Sequence, residues 1–207
     1  MFSPMTQSAN PFASSNLARL QYHFPPGVSW ESLLEKLEGQ QYCAAIVGRQ
    51  GSGKTKLLEE LAEHLKERGF KPEIFRLAGE VSMREKERLP EKLRRVLKPG
   101  FILLDGAEQL STRHWLPIRA AASQAAGFVV TVHRTSRLPT LYECETSPRL
   151  LDELSLELAG GKLPFEEAET LLIRHHGNVR AVFAELSARW GGEPVEAEAE
   201  AAPVEEA

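Results

Sequence analysis

The stretch GRQGSGKT, residues 48–55, constrains this chain more than any other. It satisfies G-x-x-x-x-G-K-S/T, with Gly48, Gly53, Lys54 and Thr55 at the fixed positions. Before it runs CAAIV, an apolar segment of strand length; after it Leu57, Leu58, Leu61 and Leu65 recur at helical spacing until Gly69 closes the segment. A strand, a glycine-rich loop and a helix are what the pattern needs to work. The loop curls so that successive backbone N–H groups point inward at a phosphate, and the helix adds its positive N-terminal end. Gly48, Arg49, Gln50, Gly51, Ser52, Gly53, Lys54 and Thr55 are therefore expected to cradle a nucleotide, with Lys54 reaching the β- and γ-phosphates and the Thr55 hydroxyl ligating Mg²⁺.

The rest of the chain supplies a fold around that loop. FPPGVSWESLLEKLEG reads as a turn and a short helix, with Ser29 as N-cap and Leu33, Leu34 and Leu37 as its apolar stripe. EIFRLA, FILLD, GFVVTVH and TLYECE read as further strands. Between them the spacing predicts helices from Pro90 to about Leu97 and over 112–126, with Pro117 in the first turn of the second. Strands alternating with helices imply a three-layer α/β sandwich on a parallel sheet. From Pro148 only helical patterns remain, RLLDELSLELAGG, PFEEAETLLIRHHG and NVRAVFAELSARWG. The expected organisation is a flexible segment over 1–22 anchored at most by Phe12, a core over 23–147, a helical lid-like subdomain over 148–190 and a disordered acidic tail over 191–207.

Charge and cysteine content narrow the setting. The last sixteen residues carry six glutamates and no cation; removing their −6 from the formal −4 leaves the body at about +2. Such a tail cannot bury a core. Cys43 and Cys144 form neither a disulfide framework nor a metal-ligand pair and suit a reducing compartment. With no secretory pattern and no apolar run of membrane length, a cytoplasmic protein is expected.

FILLDGAEQL supplies the second half of a nucleotide site. Four apolar residues place Asp105 at the C-terminal end of a buried strand, where ligands of open α/β sheets bind, and make it the partner of a Mg²⁺ held by Thr55. GRQGSGKT and FILLDGAEQL resemble the Walker A and Walker B motifs of the P-loop NTPases with an additional catalytic glutamate, the AAA-type ATPases among them. The combination of NPF, FPPGVSW, LLDGAEQL and HRTSRLPTLY is also similar to small uncharacterised bacterial ATP-binding proteins. The resemblance spans roughly residues 40–185 and implies a P-loop NTPase sandwich that binds ATP and Mg²⁺.

Many of those proteins place the glutamate that polarises the attacking water directly after the Walker B aspartate. Here Gly106 stands there, and Glu108 is the nearest carboxylate, able to serve only if DGAE turns back toward the site. The resemblance further implies that the GFVVTVHR strand lies between the Walker A and Walker B strands. It makes Thr131 and His133 candidates for sensing the γ-phosphate, with Arg134 and Arg137 as exposed loop arginines or a finger toward a neighbouring subunit. HHGNVRAVFAEL resembles the sensor-two segment, which implies that Arg180 reaches the phosphates. His175 and His176 are expected to meet the last carbonyls of their helix, and Trp30, Trp115 and Trp190 to serve packing.

Three functions follow: an ATPase that changes a protein partner or a second copy of itself, a nucleotide-binding scaffold with little turnover, and a small-molecule kinase. Against the kinase stands the absence of a long arginine-rich lid between strands. Nucleic acid is the lesser partner, since the interleaved glutamates of REKERLPEKLRRVLK fit a solvated helix better than a phosphate track.

Overall fold

A computed structural model describes residues 10–77, 82–134, 137–161 and 163–191, so the acidic tail lies outside the described residues apart from its first position. Strands β1 (Cys43–Gly48), β2 (Lys71–Arg76), β3 (Gly100–Asp105), β4 (Gly127–Val132) and β5 (Thr140–Cys144) form one sheet. Its order is β2-β3-β4-β1-β5, and every pairing is parallel. Around it run α1 (Ser14–Leu17), α2 (Trp30–Gly39), α3 (Lys54–Glu67), α4 (Met83–Leu93) and α5 (Thr112–Ala122), followed by α6 (Pro148–Ala159), α7 (Phe165–Arg174) and α8 (Val179–Gly191).

The apolar runs of β1, β3 and β4 are continuous because both faces of the sheet are covered. On one face Ala45, Val47, Ile102, Leu104, Phe128 and Val130 pack on Leu89 and Leu93 of α4 and on Ile118, Ala121 and Ala122 of α5. On the other, Ala44, Ile46, Phe101, Leu103 and Val129 meet the leucines of α2 and α3. Fully burying each large side chain contributes about 1.5–3 kcal/mol. β2 is an edge strand with one neighbour, which is where Pro72, lacking an N–H, is tolerated.

The period of two that sorts these side chains also aims the polar ones. Phe101 and Leu103 face α3, so Asp105 does too; Val129 faces α3, so Thr131 does too. Because β4 lies beside β3, with Leu103 opposite Val129, Asp105 and Thr131 arrive next to each other. The placement of β4 between β1 and β3 matches the strand order expected for GFVVTVHR.

Two helices depart from the sequence reading. α4 begins at Met83 and ends at Leu93, where a helix from Pro90 to Leu97 is expected. Its start is set by Ser82 and Glu85, each side chain bonding the other's backbone N–H, a capping box that outweighs the proline as a start signal. Pro90 sits inside the helix, buried with Leu89 and Leu93, so its packing offsets the backbone bond it cannot make. α5 ends at Ala122 and carries Pro117 in its second turn, with the lost bond on an exposed face. It stops early because the Ala126 N–H is taken by the Gly100 carbonyl as β4 begins.

α6, α7 and α8 close a third core of Leu151, Leu154, Leu171, Val182, Phe183 and Leu186. Phe12 enters it and stacks on Phe183 at 5.8 Å between ring centroids. The anchoring of the N-terminal segment extends beyond Phe12: Leu20 is buried in the same core, Asn10 Nδ2 donates to the Ser187 carbonyl at 2.8 Å, and the Tyr22 N–H donates to Glu60 at 2.8 Å. All three tryptophans pack, Trp30 on His64, Trp115 on Phe128 and Trp190 edge-on against Phe12.

Candidate functional site

The loop 48–53 joins the C-terminal end of β1 to the N-terminus of α3, near the centre of the sheet. Gly51 has φ +71, and a Cβ there would stand 1.8 Å from Asn178 Oδ1, so any other residue would strain the backbone and displace the Asn178 side chain. The Ser52 hydroxyl is buried without a hydrogen-bond partner among the described residues. Lys54 is 8% exposed and donates to the carbonyls of Gly48 and Arg49, both at 2.7 Å. Burial pulls its ammonium below the ordinary lysine range, opposed by the charges of Glu108 and Asp105.

Asp105 is held at both oxygens. Thr55 Oγ1 donates to Oδ2 at 2.8 Å and Thr131 Oγ1 donates to Oδ1 at 2.6 Å. The fully buried Thr131 hydroxyl also accepts the Gly106 N–H at 2.8 Å. Thr131 thus stands behind the aspartate, locking its carboxylate and the backbone that follows, where a γ-phosphate contact is implied by resemblance. No signal in GFVVTVHR alone distinguishes the two placements, because the register of β3 against β4 decides it.

Gly106 has φ +87, and a Cβ there would lie 2.4 Å from the Leu77 carbonyl oxygen. A glutamate cannot be accommodated where many P-loop proteins carry one. The left-handed residue instead turns the chain sharply into a 3-10 turn over Ala107–Gln109. That turn brings Glu108 back: its Oε1 lies 3.2 Å from His133 Nε2, and its charge acts on Lys54.

A cleft of about 740 Å³ opens beside the loop, with Gly48, Arg49 and Ser52 on one wall, His133 and Arg134 at the end of β4, and Ile173, His176 and Gly177 from the helical bundle opposite. Arg180 does not join it. That residue lines a separate groove along α8 with Asn10 and Phe12, because the first turn of α8 presents Asn178, not Arg180, to the loop. Asn178 caps α8 by accepting the Ala181 N–H at 3.0 Å while its side chain rests on Gly51. The Gly-Asn start of NVRAVF carries this signal, an N-cap asparagine after a helix-ending glycine. Arg137 donates to Thr112 Oγ1 at 3.3 Å. His175 pairs through Nε2 with Glu185, beyond its helix carbonyls, and His176 faces the cleft. On the opposite side of the loop the Tyr22 ring lies 3.1 Å from where a Cβ on Gly53 would stand.

These features suit a nucleotide polyphosphate with a divalent cation. A Cβ at Gly48 would meet the Cys144 carbonyl at 2.8 Å, the Ser52 hydroxyl lacks a partner among the described residues, Lys54 supplies a cation, and Thr55 with Asp105 supplies hard oxygen donors of the kind Mg²⁺ takes.

No protein-family profile matches the sequence, nor does any curated protein sequence. Among solved structures the chain is similar to a DNA replication initiation factor, with a TM-score of 0.53 and 19% identity over 78% of this chain and 60% of that one. It is also similar to a variant of RuvB from Thermotoga maritima, with a TM-score of 0.49 and 15% identity over 75% of this chain and 58% of that one. The chain spans about three fifths of either protein. At these identities the likeness concerns the fold, which is the P-loop NTPase α/β sandwich with a five-stranded parallel sheet. Among the described residues no helix is long and apolar enough to cross a membrane.

Proposed function

We propose that this chain is a Mg²⁺-dependent ATPase whose helical bundle passes the nucleotide state to a protein partner or to a second copy. The carrying observation is the Thr55 to Asp105 contact at 2.8 Å beside a buried Lys54 on which the charge of Glu108 acts. The loop N–H groups bind the phosphates, and the Lys54 ammonium, held by two loop carbonyls, exchanges them for the β- and γ-oxygens. Thr55 and Asp105, whose side-chain oxygens meet at 2.8 Å, would hold the cation. Mg²⁺, when bound, offsets charge on the β- and γ-phosphate oxygens. Glu108 accepts a proton from the attacking water in place of the residue that Gly106 excludes.

The bundle is suited to coupling because it touches the loop directly: Asn178 rests on Gly51, and the segment 10–24 links Gly53, through Tyr22, to the core around Phe12. A second reading, a nucleotide-dependent scaffold with little turnover, is favoured by Gly106, since Glu108 reaches the site only by a detour. Because one structural neighbour is described as a DNA replication initiation factor, DNA belongs among the partners assayed.

Binding and turnover of ATP, GTP and CTP with Mg²⁺ test the proposal. Lys54→Ala should weaken ATP binding at least tenfold. Glu108→Gln should leave binding intact and lower turnover by about 100-fold, the scale of a lost general base. Tight binding without turnover in the wild type would establish the scaffold reading, and turnover only with an added metabolite would point to a kinase.

A further inference from the structure

His133 follows Thr131 by two residues at the end of β4, and resemblance implies a γ-phosphate contact for it. Its imidazole has a different neighbour. Nε2 lies 3.2 Å from Glu108 Oε1, and both side chains are partly exposed, 43% and 27% respectively, with His133 on the cleft wall and Glu108 behind it. We infer that His133 is the positioning residue of Glu108, its imidazole standing against one carboxylate oxygen so that the other is presented to the attacking water.

The parts of the site differ in how firmly they are held. Asp105 is pinned at both oxygens and Gly106 by its N–H, so the backbone leading to Glu108 is fixed. The Glu108 side chain beyond it is not fixed by that network, because the 3-10 turn Ala107–Gln109 is three residues long and a glutamate retains several free torsions. Among the described residues His133 is the side chain within ion-pair distance of this carboxylate. β4 makes the contact possible: its buried Val130 and Val132 and its Thr131 bond to Asp105 leave the strand end little freedom, so His133 projects from a rigid base. A carboxylate with one oxygen against an imidazole keeps its second oxygen free, which is the arrangement a water-activating base needs. Lys54 also faces Glu108, but its ammonium is committed to the loop carbonyls and, with nucleotide, to phosphate. The inference rests on the reading of Glu108 as the base.

The test compares kcat and the ATP dissociation constant for the wild type, His133→Ala, His133→Gln, Glu108→Gln and the double variant His133→Ala/Glu108→Gln, with thermal melts to verify folding. Glutamine places an amide N–H near the position of Nε2 and serves as the conservative replacement. Expected are a drop in kcat of about 10- to 100-fold for His133→Ala with ATP affinity within about twofold of wild type. His133→Gln should recover most of that loss, and His133→Ala should add less than about twofold in the Glu108→Gln background, as for two residues acting as one unit. A His133→Ala variant that loses ATP affinity with kcat intact, or that loses as much turnover without Glu108 as with it, would place His133 on the nucleotide and overturn the inference. Glu108→Gln at wild-type turnover removes the base reading itself, whereas a dead Glu108→Gln beside an unaffected His133→Ala removes the role of His133 alone.

Discussion

Replacing Gly106 by alanine is the sharpest probe of how this site is built. The residue lies at φ +87, where an L side chain costs roughly 1–2 kcal/mol. The added Cβ would meet the Leu77 carbonyl oxygen at 2.4 Å, a backbone atom that cannot swing away as a flexible side chain would. That carbonyl accepts from Gln109 Nε2, and the Leu77 N–H donates to the Asp105 carbonyl at 2.9 Å, so moving it disturbs the ends of β2 and β3 together. Overpacking of this kind costs about 1–3 kcal/mol. Together Gly106→Ala should lose about 2–5 kcal/mol, a fall in melting temperature on the order of 10 °C for a domain of this size. Urea denaturation followed by circular dichroism gives the free energy directly, with an unchanged slope expected for a native-state effect. Gly106→Glu, which places a carboxylate directly after Asp105, should be at least as unstable and should gain no turnover. A Gly106→Ala protein within about 0.5 kcal/mol of wild type, or a Gly106→Glu protein with raised turnover, would refute the claim that backbone geometry excludes a side chain here.

Thr131→Val keeps the shape but strands the buried Gly106 N–H and frees one oxygen of Asp105, so stability should fall by about 1–3 kcal/mol and the Mg²⁺ concentration needed for tight ATP binding should rise; unchanged values in both would show that the hydroxyl is idle. Burial pushes the Cys144 thiol from the ordinary 9.0 up to about 11, and burial raises the Tyr22 phenol as well. Both groups are held neutral in the folded chain, so the Cys144 contribution is complete below pH 9 and is lost as pH rises from about 9 toward 11, while that of Tyr22 is lost only from about pH 10 upward. The Cys144 part amounts to roughly 2–3 kcal/mol. Denaturation curves at pH 8 and pH 10.5 should differ for the wild type and differ less for Cys144→Ala; equal differences would assign the alkaline loss elsewhere.

The loop, its strand and its helix were legible in GRQGSGKT because phosphate binding needs a local sequence of backbone angles, and local sequence encodes local angles. The buried strands were legible for a similar reason, since four or five consecutive apolar residues between breakers can only sit between two covered faces. Asp105 was legible as the polar residue ending such a run. The helix ends were not: Pro90 and Pro117 looked like boundaries, yet a capping box at Ser82 and packing against Leu89 and Leu93 set α4, and the start of β4 cut α5 short. Local propensity is worth a few tenths to a few kcal/mol, and tertiary contacts of equal size override it.

By itself, then, the sequence determined a parallel α/β sandwich, a phosphate loop and one carboxylate beside it, because each depends on residues close together in the chain. Only the tertiary structure decided which distant groups complete the site. Thr131 went to Asp105, His133 to Glu108 and Asn178 to Gly51, while Arg180 went to a groove along α8. Those pairings span from 25 to more than 100 positions and depend on strand order, on the register of β3 against β4 and on the angle at which α8 meets the loop. No spacing rule carries such quantities, because they are set by how whole elements pack.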